Sequence, residues 1–246
     1  MNSHPESASV RNRLLSHLPP AALARLMPML RAVPLNMRES LIVPGREIET
    51  VWFVESGFVS LVTTLAKGVQ AEVGLIGREG LIGSPLINGV DNAFAEAFVQ
   101  AKGTALRMEA SAFRLAMAED AGLRALLLRY NEAMAAQLTQ TAACNGGHGL
   151  EQRFSRWLLM ARDRLDSDDM RLTQEFLALM LCVYRPGVTV AANALQRAGV
   201  IRYARGHITI LDRAGLEAIA CDCYGAVRRR FTDLLGVEAE LQRVRD

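Results

Sequence analysis

The apolar positions of the chain repeat with two periods, and the changes of period divide it into three regions. Leu14, Leu15 and Leu18 share one helical face, Pro19-Pro20 interrupts it, and Leu23, Leu26 and Leu30 resume the spacing. Short helices are therefore expected from Arg11 to Leu30. From Glu39 to Met108 the period falls to two. Val51 and Phe53, then Val59, Leu61 and Thr63, then Val69, Ala71, Val73 and Leu75 alternate, among many β-branched and aromatic residues. Gly45, Gly57, Gly68, Gly74, Gly77, Gly80, Gly83 and Gly103 punctuate these runs. Short strands with frequent turns suggest an antiparallel sandwich, roll or barrel. The glycines read as turn formers, since glycine takes positive φ without penalty. The denser set Gly74, Gly77, Gly80 and Gly83 could also let backbone approach a ligand phosphate.

The helical period returns from Ala118 to Ala143, where Leu123, Leu126, Leu127, Tyr130, Met134 and Leu138 recur at threes and fours without a proline. Such a stripe can pack on the β region or on its own copy across a two-fold axis. Leu123, Leu127, Tyr130, Met134 and Leu138 are the candidate dimer contacts. Asn145-Gly146-Gly147 marks a hinge. Leu150, Phe154, Trp157, Leu158 and Ala161 share the face of a further helix, which gives way to a loop at Asp166-Ser167-Asp168-Asp169. The expected division is residues 1–117, a helix and hinge at 118–147, and a C-terminal domain at 148–246. The charged residues after Gly236 read as a frayed helix.

The run LTQEFLALMLCVYRPGVTVAANALQ, from Leu172, is the most informative. Thr173 is suited to cap a helix whose first turn holds Glu175, where the helix dipole favours negative charge. Leu177, Met180 and Leu181 give that helix an apolar face. Cys182-Val183-Tyr184 can turn, and Pro186 fits the first turn of a second helix, where its missing donor is not needed. Val188, Ala191, Ala192 and Leu195 are the buried side of that helix, leaving Arg185, Thr189, Asn193 and Arg197 off it. This is the pattern of a helix-turn-helix, or of a structural αα-hairpin. GVIRYARGHITILD follows, in which Val200-Ile201 and Ile208, Ile210 flank an Arg205-Gly206 turn. A hairpin with Arg202, Arg205 and His207 near its tip reads as a wing that grips phosphate.

Composition and charge narrow the reading. Half the 246 residues are hydrophobic and 22% are charged, a globular mixture long enough to bury a core without disulfides or metal. No apolar run reaches the roughly 18 residues that span a bilayer. MNSHPESASV lacks the layout of a secretory signal, so a soluble cytoplasmic protein is expected. The formal net charge is only +2, but Arg171, Arg185, Arg197, Arg202, Arg205 and Arg213 face only Glu175 and Asp212 within their segment. That local excess suggests an electropositive face. Arg228-Arg229-Arg230 read as a solvated face, with an additional phosphate contact the alternative.

From Arg11 to Tyr224 the chain resembles the Crp/Fnr family of bacterial transcription regulators. The resemblance is strongest in Leu172–Gln196, in AGVIRYARGHITILDRAGLEA and in EQRFSRWLL from Glu151. It implies an α+β fold: an N-terminal antiparallel β-roll like a cyclic-nucleotide-binding domain, a long dimerisation helix and a C-terminal winged helix-turn-helix. It also implies a homodimer bound to an inverted repeat in double-stranded DNA, with RNA polymerase a further partner. Arg185 matches the family's first recognition-helix arginine. Where the family often has Glu and Arg next, this chain has Pro186 and Val190. Cys182 replaces the turn glycine, which is tolerable if the residue avoids left-handed geometry. The DNA-contacting set is thus Thr173, Tyr184, Arg185, Thr189, Asn193, Arg202 and Arg205.

Cyclic-nucleotide-binding members hold the phosphate with a Gly-Glu-Leu turn and a later Arg-Ser pair. The corresponding positions here are Gly83-Ser84-Pro85 and Ala95-Glu96. The arginine is missing and Glu96 would repel phosphate, which argues against cyclic AMP. Gly83, Ser84 and Glu96 remain candidate contacts for an unidentified effector. No cysteine precedes Cys144, which argues against an N-terminal iron–sulfur cluster. No histidine lies between His17 and His148, which argues against haem, a metal-dependent barrel enzyme or a Ser-His-Asp site in the β region. Cys221-x-Cys223 lacks the partners of a four-ligand zinc site and reads as buried thiols, and His148 and His207 as ordinary polar residues. No metal, cofactor or enzymatic activity is expected. Cys182 is a candidate thiol switch. The alternative is a small-molecule carrier or enzyme on the β-roll with a structural helix-turn-helix.

Overall fold

The chain is described by a computed structural model over residues 10–165 and 167–236. Asp166 and the stretch expected as a frayed helix after Gly236 lie outside the described residues. Two compact units emerge. One holds the described residues up to Val62, Gly74–Ala135 and residues 231–236; the other holds Thr63–Val73 and Ala136–Arg230.

The first unit begins with α1 (Arg13–Ser16) and α2 (Pro20–Leu26), separated by Pro19-Pro20 as the spacing predicts. Asn12 is fully buried. Its Oδ1 accepts from the Leu15 N–H at 3.2 Å, and its Nδ2 donates to the Val54 and Gly80 carbonyls at 2.9 and 2.8 Å. The Glu55 carboxylate accepts from the backbone N–H groups of Arg11 and Asn12. The α1 cap therefore also anchors the helix on the sheet.

The sheet consists of β1 (Arg31–Leu35), β2 (Ser40–Ile42), β3 (Thr50–Thr64), β4 (Gln70–Ile76), β5 (Leu81–Ile82) and β6 (Glu96–Glu109). Its order is β1-β6-β3-β4, with β2 pairing β6 and β5 pairing β3. β1 and β3 flank β6 in antiparallel register. Phe53, Phe58, Leu35, Leu75, Leu81 and Leu106 are buried, and Phe53 packs on Phe113.

The glycine reading needs correction in two places. Gly57 does not end a strand: β3 runs through it for 15 residues, with register shifts around Ser56 and Phe58. Gly57 takes φ +73°, and a Cβ there would lie 2.4 Å from the Ala101 carbonyl oxygen. Across the bulge, a Cβ on Gly103 would lie 1.9 Å from the Ser56 carbonyl oxygen. These glycines serve close strand approach rather than chain reversal. At Gly80 and Gly83 the side where a Cβ would lie is filled by side chains of the chain itself. A Cβ on Gly80 would meet the Tyr130 hydroxyl at 2.5 Å, and one on Gly83 the Val51 side chain at 2.7 Å.

The helix expected from Ala118 is divided into α3 (Ala110–Glu119) and α4 (Ala121–Gly147). Asp120, in extended backbone, accepts from the Leu123 N–H at 2.9 Å and pairs with Arg25. That N–H, and then Arg25, hold the Asp120 carboxyl below its ordinary range.

The candidate dimer stripe is also corrected. Leu123, Leu127, Tyr130 and Met134 are buried within the chain itself, and Leu138 is half-buried. Tyr130 donates its hydroxyl to the Leu81 carbonyl at 3.0 Å. The strongest apolar stripe of a helix is the one its own chain buries first. The exposed line of α4 is instead Ala125, Leu128, Glu132, Ala135, Thr139, Ala142 and Gly146, spaced alternately by three and four.

The second unit contains the end of α4, α5 (Leu150–Arg162), β7 (Asp169–Arg171), α6 (Gln174–Met180), α7 (Arg185–Arg197), β8 (Ile201–Ala204), β9 (His207–Ile210) and α8 (Arg213–Ile219). α9 (Cys223–Leu235) begins in it. α5 packs against α7 and α8, with Phe154, Leu158, Val188, Leu195 and Leu216 buried. The hairpin β8–β9 gains a third strand, β7, in the order β7-β9-β8. The sequence placed Asp169 in a loop, because three residues are too few to show a period. No single helix among the described residues is long and apolar enough to cross a membrane.

Candidate nucleic-acid interface

Local chemistry builds the helix pair as its sequence suggests. The Thr173 hydroxyl accepts from the Phe176 N–H at 3.2 Å and caps α6, and Pro186 lies in the first turn of α7. α6 and α7 meet at a 99° bend, within the helix-turn-helix range. Arg153 donates to the Leu181 carbonyl at the C-terminal end of α6. Trp157 packs edge-on against Phe176 at 5.9 Å.

Cys182 does not avoid left-handed geometry: its φ is +51° and its side chain is exposed. The turn keeps the backbone conformation that glycine would take freely, at about 1–2 kcal/mol for a residue with a Cβ. Arg205 also takes φ +51°, followed by Gly206 at +78°. Positive φ at both central residues is the tight hairpin turn that matches strand twist.

The wing is tied to the helices by hydrogen bonds. Leu172 N–H donates to the Gly206 carbonyl at 2.7 Å, and Tyr203 N–H donates to Gln196 Oε1 at 2.9 Å. The Tyr203 hydroxyl donates to the Leu172 carbonyl at 3.2 Å. Burial, and then the Glu175 charge, push that phenol above its ordinary pKa, keeping it a neutral donor.

A cleft of about 500 Å³ brings together Thr173, Arg185, Asn193 and Arg205 of the expected set. Gln174, Glu175, Gln196, Tyr203 and Gly206 complete its lining, and the sequence had not marked Gln174, Gln196 or Tyr203 as site residues. Tyr184 is not in the cleft. It stands at the N-cap position of α7 without a capping side-chain hydrogen bond, and is 91% exposed. Thr189 donates to the Arg185 carbonyl at 3.3 Å, and Arg202 projects from β8 into solvent. Val190, 64% exposed, follows Thr189 on α7; only its exposure, not its residue type, marks it.

The positive face is smaller than the charge count implied. Arg185 pairs with Glu175 at 2.8 Å, both side chains more than half exposed. Arg213 is withdrawn altogether: it binds Asp163 at 3.0 Å, Glu217 at 2.9 Å and the Tyr224 hydroxyl at 2.7 Å. Burial is the largest single influence and opposes its charge, but Asp163, Tyr224 and Glu217 together offset that and raise its pKa. Arg213 braces α8 against the end of α5, and Arg202 and Arg205 remain exposed on the wing.

The effector candidates lie in the first unit. Gly83, at φ +107°, precedes a short 3-10 turn at Ser84–Asn88. Glu96, half-buried, opens β6 opposite Val62.

Residues 152–219 match the Crp-like helix-turn-helix domain family. No curated protein matches the chain in sequence. Among solved structures the chain is similar to FixK2 from Bradyrhizobium japonicum: 17% identity, TM-score 0.63, 78% of this chain and 98% of that one. It is similar also to a CRP-family transcriptional regulator from Thermus thermophilus: 20% identity, TM-score 0.63, 76% and 96% covered. A third is CLP, a c-di-GMP-responsive global regulator from Xanthomonas campestris: 14% identity, TM-score 0.63, 79% and 100% covered.

Proposed function

We propose that this chain, which has the Crp/Fnr fold and carries a Crp-like helix-turn-helix domain, is a transcription regulator that binds an inverted-repeat operator as a homodimer. The observation that carries the reading is the 99° helix pair whose second member starts with exposed Tyr184 and Arg185, joined to a wing bearing Arg202 and Arg205. α7 enters the major groove by its N-terminal end, where Arg185 reads a base edge with Thr189, Asn193 and Tyr184 beside it. Val190 offers an apolar contact to a thymine methyl. Arg202 and Arg205 hold phosphate.

Dimerisation runs along the exposed line of α4, where small residues permit close helix approach and Leu128 is the large apolar anchor. The two α7 helices would then face major grooves about 34 Å apart. Leu128→Glu should weaken the dimer at least about tenfold by placing like charges at the seam. Sedimentation equilibrium checks this, and an unchanged dimer would place the interface elsewhere.

The missing arginine and the Glu96 carboxylate at the phosphate-binding positions speak against a cyclic nucleotide there. Selection from random duplexes with effector-free protein tests the whole reading. A two-fold symmetric site should emerge; enrichment of an asymmetric site, or of none from folded dimer, would count against an effector-independent operator reader. Arg205→Ala should weaken all sequences alike and flatten the salt dependence by about one unit, while Arg205→Lys retains the slope. Titrations at several salt concentrations read both.

A further inference from the structure

Folding unites four residues that are far apart in sequence and that the DNA interface does not use. Cys144 lies in the last turn of α4, and His148 follows one turn later, its N–H donating to the Cys144 carbonyl at 3.1 Å. The pair at i, i+4 therefore shares one face. Cys221 lies in the α8–α9 connection and Cys223 opens α9. The three cysteines are buried as free thiols and form a cluster of their own.

From this geometry we propose that Cys144, His148, Cys221 and Cys223 hold one zinc ion. All four ligand atoms lie within 4.8 Å of one another. Cys144 Sγ is 3.5 Å from Cys221 Sγ, and Cys223 Sγ is 3.5 Å from His148 Nδ1. Tetrahedral zinc, with Zn–S about 2.3 Å and Zn–N about 2.0 Å, needs S···S near ~3.8 Å and S···N near ~3.5 Å. The observed edges therefore require only small adjustments. A sulfur separation of 3.5 Å is also well beyond a disulfide bond.

The surroundings fit the same ion. With Nδ1 as ligand, His148 turns Nε2 toward Asp222 Oδ1 at 3.6 Å, the carboxylate partner that orients a metal-bound imidazole. Gln140 Nε2 donates to Cys223 Sγ at 3.0 Å. Three thiolates and a neutral imidazole around Zn²⁺ leave one net negative charge; without the ion, burial pushes the Cys144 thiol up, and the Arg156 charge is a smaller opposing influence. On binding, three S–H protons pass to solvent as three Zn–S bonds form. Four protein ligands close the coordination shell, so the ion is structural: it clasps the end of α4 to the α8–α9 connection within the second unit. Cys221-x-Cys223 reads as short of partners in the sequence only because Cys144 and His148 lie a whole domain earlier in the chain.

The test uses the full chain purified under reductant without chelator. Elemental analysis should find one zinc per chain. Cobalt exchanged into the site should give thiolate-to-metal charge-transfer bands and the intense visible spectrum of a tetrahedral ion. Cys182→Ser should keep both signals, and Cys221→Ser should lose them. Asp222→Asn, at a side chain 90% exposed and so harmless to folding, should weaken zinc about tenfold or more. Four results would overturn the proposal: reduced, folded protein without a cobalt–thiolate band; loss of the signal in Cys182→Ser; iron with acid-labile sulfide in place of zinc; or wild-type affinity in Asp222→Asn.

Discussion

Gly103→Ala is expected to destabilise the first unit by about 3 kcal/mol or more, at the upper end of overpacking penalties. The new Cβ would meet the Ser56 carbonyl carbon at 2.4 Å and its oxygen at 1.9 Å. Both atoms are backbone, so no rotamer change relieves the clash. Gly103 also pairs with Leu35 in β1, and β3 has already bulged at Gly57 to accommodate the crossing. Neither neighbouring strand can retreat without losing ladder hydrogen bonds. In a chain of this size the loss corresponds to a fall of roughly 10 °C in melting temperature. Gly45→Ala is the control: it carries the strain of a positive φ, at +76°, which Gly103 does not, but has open space around the new carbon. A melting temperature for Gly103→Ala within a degree or two of the Gly45→Ala value would mean that the strands can separate there.

Arg185→Ala is expected to weaken binding to the selected operator by about 1–3 kcal/mol, or about 5- to 150-fold, and to relax preference at one base pair in each half-site. Arg185 stands at the first residue of α7, the end that a helix-turn-helix presents to the groove. Its removal also leaves Glu175, at 2.8 Å from it now, without its partner and close to incoming phosphate. Fluorescence anisotropy across a panel of operator mutants measures the effect. A loss that is equal for operator and random DNA would reassign Arg185 to phosphate.

The parts that the sequence revealed are those determined locally. Thr173, Pro186 and the apolar spacing from Leu177 to Leu195 specify two helices and their caps within one short segment, so the helix-turn-helix was legible. The parts it concealed depend on contacts made across the fold. Gly57 within a strand looks like a turn until Gly103 is seen opposite it. The apolar stripe of α4 looks like a dimer seam until Tyr130 is found bonded to Leu81, and the small residues on the other side carry no hydrophobic signal. Arg213 counts as a free cation in sequence and is a half-buried, paired brace in space. Cys144 and His148 could join Cys221 and Cys223 only once α4 and the α8–α9 connection had been placed side by side.

The ion pair between Glu175 and Arg185 has a consequence for the search of a genome. A half-neutralised reading arginine clings less to the phosphates of random DNA, which outnumber any operator by many orders of magnitude. An exposed pair of this kind is worth at most about 1 kcal/mol, so a guanine edge in register can displace it while a passing phosphate gains little. On the proposed function, Glu175 would act as a built-in competitor that shortens each unproductive stop and leaves more protein in circulation.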